Sequence, residues 1–147
     1  MRIDWAVTCR YAESDGTVGT LVGAGIDLLY VPQLPHPVSV MLAVRLSATL
    51  DEVSEGQPHE IVGRILGPEG GPLHNPDGSE VPPLTVNFQA GGATQVVSGW
   101  LISPLFAFGF QWLADEEGTY TVEVRVGDAI PSLSPVHVLT APSTSGT

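Results

Sequence analysis

LFAFGFQWLADEEGTYTVEVRV, residues 105–126, is the stretch that decides the fold. Phe106, Phe108, Phe110 and Trp112 share one parity, opposite Leu105, Ala107, Gly109 and Gln111, so four rings line one face of a strand. After the acidic break at Asp115-Glu116-Glu117-Gly118, the same period returns. Tyr120, Val122, Val124 and Val126 alternate with Thr119, Thr121, Glu123 and Arg125. Two half-buried strands joined by a tight turn require a second sheet to cover their apolar faces.

Working outward, the period of two recurs along the chain. Val40, Leu42, Val44 and Leu46 alternate with Ser39, Met41, Arg45 and Ser47 in a strand over 38–50, and His59 to Leu66 forms another. Ile3, Trp5, Val7 and Cys9 share a parity in the first segment, which predicts a core-facing Cys9 and a Trp5 that joins the aromatic core. Residues 17–31 read as one strand, with Val18, Val22, Ala24, Ile26, Leu28 and Tyr30 opposite a glycine-bare face of Gly19, Gly23 and Gly25. Shorter strands follow at 84–89 and 132–139. Seventeen Gly and thirteen Pro leave no stretch that holds helical periodicity for three turns. The sum is an all-β, two-sheet antiparallel sandwich of seven or eight strands, with a domain at 1–139 and a low-complexity tail at 140–147.

Glu116, Gly118 and Tyr120 resemble the tyrosine corner of immunoglobulin-like domains, in which a Tyr hydroxyl returns to the backbone at a sheet corner. Val122 stands where an antibody domain carries its second Cys, so the disulfide-bearing subtype is excluded. Over most of its length the chain also resembles a family of small bacterial proteins known only as a domain of unknown function. The matching residues are Cys9-Arg10-Tyr11-Ala12, Gly23-Ala24-Gly25, Leu42-Ala43-Val44-Arg45-Leu46, the turn after Ile65-Leu66, and Glu117-Gly118-Thr119-Tyr120. The resemblance implies a β-sandwich and brings no activity, ligand or catalytic residue.

Sixteen acids against five arginines and no lysine give a net charge of −11, which opposes binding to phosphate backbones. Nucleic acid is therefore not an expected partner. Apolar runs are broken well short of the roughly 20 residues that span a bilayer, so no membrane span is expected. A single cysteine and no export signal point to a cytoplasmic protein.

No residue set carries chemistry at a recognisable spacing. Cys9 reads as a small buried hydrophobe rather than a nucleophile. His36, His59, His74 and His137 fall in no compact ligand motif, which predicts no metal site. The clusters Asp51/Glu52/Glu55 and Asp115/Glu116/Glu117 read as solvated charge at strand ends, without calcium-loop spacing. Gly23-Ala24-Gly25 lacks the third Gly and the helix of a nucleotide loop, so no cofactor is expected.

What remains is surface. The segments 68–83 and 90–99 are long connections of the kind that carries function, and His74, Asn75, Asp77 and Trp100 are their candidate contact residues. The sequence therefore predicts a non-catalytic interaction or assembly module that meets a protein partner or a second copy of itself. The alternative is a small-ligand, carbohydrate-type domain that stacks its ligand on exposed aromatic rings.

Overall fold

A computed structural model describes residues 1–49, 52, 58–89 and 101–142. The chain is all-β, with eleven strands among the described residues. They are β1 (Arg2–Cys9), β2 (Tyr11–Ser14), β3 (Gly19–Val22), β4 (Leu28–Val31), β5 (His36–Thr49), β6 (His59–Leu66), β7 (Leu84–Phe88), β8 (Leu101–Ile102), β9 (Leu105–Ala114), β10 (Gly118–Val126) and β11 (Ser132–Thr140).

β5 is the spine of one sheet, flanked antiparallel by β1 on one side and by β8 and β9 on the other. The second sheet runs β4-β11-β10-β6-β7, antiparallel throughout except that β4 lies parallel to β11. A separate β2–β3 hairpin forms the third.

The two larger sheets share one core. Val38, Val40, Leu42, Val44 and Leu46 of β5 and Phe108, Phe110 and Trp112 of β9 meet Ile61 and Ile65 of β6, Tyr120 to Val126 at alternate positions of β10, and Val136 and Val138 of β11. The alternation at 105–126 thus places its apolar parities inward on both sheets. Contact between them is close at Gly63 of β6, where a Cβ would lie 2.7 Å from Cζ of Phe110. The Phe110 ring occupies the space that a β6 side chain would take.

Three expectations are corrected. The single strand at 17–31 is two strands in different sheets, because Gly23 and Gly25 adopt positive φ and turn the chain between them. Its apolar parity set does not pack inward: Val18, Val22, Leu28 and Tyr30 are exposed, and Val31 of the opposite parity enters the core.

Trp5 is the second correction. A register shift between Ile3 and Trp5 flips the parity of β1, so Ile3 packs on the main core while Trp5 stands opposite Arg45 on the outer face, 37 % exposed. Cys9 follows Trp5 to that outer face. It is fully buried all the same, in a small second core with Ala12 and Ala43 to which Leu21 of β3 adds cover. Strand number is the third: the short strands β2 and β8 and the division of 17–31 into β3 and β4 raise it above seven or eight.

Candidate contact surface

The connection from β6 to β7, which contains the candidate segment 68–83, is a ladder. Gly67 N–H donates to the Gly71 carbonyl at 2.8 Å, Leu66 bridges Pro72, His74 bridges Glu80, and Val81 N–H donates to the Leu73 carbonyl at 2.8 Å. The tip closes at Asn75-Pro76-Asp77-Gly78-Ser79, with Gly78 at φ 83° and Gly78 N–H on the Asn75 carbonyl at 2.8 Å. Asp77 Oδ1 accepts from the Ser79 amide (2.9 Å) and hydroxyl (2.6 Å), and Asn75 Nδ2 donates to Ser79 Oγ at 3.0 Å. Those bonds hold the Asp77 carboxyl below the ordinary carboxylate range. Asn75 and Asp77 are thus occupied in fixing their own turn, which is the physical reason for their residue types.

His74 lies on the flank of this hairpin and lines a cleft of about 350 Å³ with Glu69, Leu73, Leu113, Asp115 and Glu116. The cleft borders the β9–β10 corner through Asp115 and Glu116. Tyr120, fully buried, donates from its hydroxyl to the Glu116 carbonyl at 3.0 Å and lies 3.4 Å from Asp115 Oδ1. Burial pushes its phenol pKa up. At Gly118 a Cβ would come within 2.8 Å of Cβ and Cγ of Pro68, so the β9–β10 turn rests directly on the hairpin's first turn. His74, Asn75 and Asp77 are brought onto one element, whereas Trp100 and the segment 90–99 lie outside the described residues.

No group of three His, Cys, Asp or Glu side chains converges as metal ligands among the described residues. Cys9 is fully buried, and that burial pushes its thiol pKa up, away from a reactive thiolate. Phe108, Phe110 and Trp112 are buried in the core, and Phe106 is half-buried against it.

The surface that sequence parity did not single out lies on the outer face of the second sheet. Leu28 and Tyr30 of β4 pair with His137 and Leu139 of β11 on that face, with Leu133 further along β11. Exposure is 41 % at Leu28, 61 % at Tyr30, 58 % at Leu133 and 37 % at Leu139. On β10 the neighbours are Thr119, Thr121 and Glu123, and Glu123, opposite Leu133, is paired with Arg64 at 2.7 Å. An apolar strip therefore lies outside the core that the two larger sheets share among the described residues. One signal in the sequence pointed to it. β11 carries apolar residues at both parities, Val136 and Val138 inward and Leu133, Pro135 and Leu139 outward, which is how a strand covered on two faces reads.

No curated protein and no solved structure matches the chain. The profile of the family of unknown function DUF6941 matches residues 4–139, nearly the whole chain, and the protein belongs to that family.

Proposed function

We propose that the protein is an immunoglobulin-like contact module with no catalysis of its own, working in the cytoplasm by binding a protein partner or a second copy of itself. The strand arrangement supports the immunoglobulin-like reading. β5 between β1 and β9 corresponds to the sheet that carries the second and fifth strands of such domains, and β11-β10-β6 to the sheet that opposes it. Tyr120 at the start of β10 makes the corner hydrogen bond at the matching place.

The observation that carries the functional reading is the strip of Leu28, Tyr30, Leu133 and Leu139. Burying apolar area contributes about 25 cal/mol per Å², and a strip left in water beside a filled core retains that free energy for a partner. The acidity of the rest of the chain limits nonspecific association and directs contact to the uncharged face. The test is recovery of tagged protein from its native host, with the native mass of the purified chain measured alongside. A stoichiometric partner or a self-assembled species is expected. A strictly monomeric chain that recovers nothing would end the proposal.

A further inference from the structure

The cleft between the hairpin and the β9–β10 corner has two kinds of lining. Pro68, Pro72, Leu73 and Leu113 are apolar, and Leu113, on the outward parity of β9, is 42 % exposed. Glu69, Asp115 and Glu116 are anionic and exposed. No arginine lines the cleft, and among the described residues none of these three carboxylates has an ion-pair partner. Both walls are fixed before anything binds. Backbone bonds from Gly67 to Gly71 and from Val81 to Leu73 hold the hairpin wall. The Tyr120 hydroxyl on the Glu116 carbonyl holds the corner wall, and Pro68 fills the space where a Gly118 side chain would stand. A site that needs no ordering keeps more of its contact free energy for what it binds.

The lining selects its occupant by charge and shape together. Anions are repelled by the carboxylates. A sugar finds no Trp, Tyr or Phe on the lining to stack against. No three ligating side chains converge on a metal ion among the described residues. A cation carried on an apolar stem satisfies both linings at once, with the stem on the prolines and leucines and the head on the carboxylates. Of the two side chains built that way, arginine fits better. Its guanidinium is more weakly hydrated than an ammonium, and its planar fork meets carboxylates in pairs.

We propose that this cleft receives an arginine side chain of a protein partner. The proposal rests on the contact-module reading and adds to the β4–β11 strip a second, charged point of attachment. Glu117, the next corner residue, accepts from the Thr140 amide at the end of β11 at 2.7 Å. Cleft and strip therefore meet at one end of the second sheet, where a single partner reaches both. The net charge of −11, which repels a second copy of the chain, steers a basic surface toward this site.

The probe is the peptide acetyl-Gly-Arg-Gly-amide, titrated into the full chain and followed by NMR, with the citrulline peptide as its uncharged counterpart. The arginine peptide should shift the His74, Leu113 and Glu116 resonances saturably, and the citrulline peptide should bind roughly tenfold more weakly or not at all. Glu69→Gln/Glu116→Gln should weaken arginine binding roughly three- to tenfold, and added salt should weaken it in the wild type. Glu60→Gln/Asp128→Asn removes the same charge at the other end of β6, where Gly127 N–H meets the Glu60 carbonyl, and should leave binding unchanged. All four substitutions fall on exposed residues, and an unchanged urea midpoint confirms that both variants fold. Absence of saturable binding overturns the proposal, as does equal binding of the citrulline peptide. Equal weakening by the two charge variants also overturns it, because the attraction would then belong to net charge and not to the cleft. Should the peptide fail to bind while tagged protein still recovers a stoichiometric partner, the arginine site falls and the contact-module reading stands.

Discussion

Gly63→Ala places a methyl group 2.7 Å from Cζ and 3.2 Å from Cε1 of Phe110, across the space between the two large sheets. Real Cβ atoms do not approach that closely, and the ring cannot swing aside into water because Phe110 is buried within the shared core. Overpacking of this kind costs about 1–3 kcal/mol. Phe110→Leu removes the ring atoms that collide and loses part of the roughly 3–5 kcal/mol that Phe→Ala costs in a core. In the double variant the new methyl enters the space the ring has left, so the two changes should couple favourably by about 1 kcal/mol or more. Urea unfolding of the four proteins gives the cycle directly, provided the slope with denaturant is unchanged among them. Additivity within about 0.5 kcal/mol would refute the argument, because it would mean that β6 and β9 do not meet at this point.

Three further outcomes follow from side-chain environments. Tyr120→Phe removes the bond to the Glu116 carbonyl and should cost about 0.5–1.5 kcal/mol in the same unfolding assay. The raised phenol pKa gives the alkaline limb its sign. A group whose folded pKa lies above its unfolded value stabilises at lower pH and loses that contribution as pH rises through the folded value, so the phenylalanine variant should lose less stability at high pH. Cys9, buried with a raised pKa, should resist thiol reagents in native protein and react once urea unfolds the chain; rapid native labelling would contradict its placement under the β2–β3 hairpin. Asp77, with its carboxyl lowered by Ser79, should show an NMR titration midpoint below the ordinary carboxylate value. The turn's stabilisation is then full above the unfolded pKa and fades as pH falls through the folded one, and Ser79→Ala should return the midpoint toward normal.

Residues 105–126 were legible because each parity met a single fate: one filled the core and the other met solvent or the sheet's outer face. β6 was legible for the same reason, and β5 for its inward parity, although Ala43 and Ser47 on its outer face are buried as well. β1 was misread by one inserted residue, since the register shift before Trp5 reverses every later side chain and no composition signal marks it. Residues 17–31 were misread because a parity set cannot show that two positive-φ glycines break it into strands of different sheets. The hairpin at 72–81 shows the opposite error. Asn75-Pro76-Asp77-Gly78 has the composition of a turn, but the bridges that order the rest of the connection pair backbone groups and leave little trace in side-chain identity. The strip on β4 and β11 required the parallel pairing of two strands far apart in the chain, and that pairing is not local information.

The account rests most heavily on contact through the β4–β11 face. The direct measurement is quantitative recovery of bound protein, including untagged copies of this chain, by wild type and by Tyr30→Lys/Leu133→Lys, both changes lying on exposed positions of that face. The account predicts a stoichiometric species that the wild type retains and the variant loses, with the two proteins unfolding at the same denaturant midpoint. Equal recovery by both would contradict it and move the contact elsewhere on the molecule.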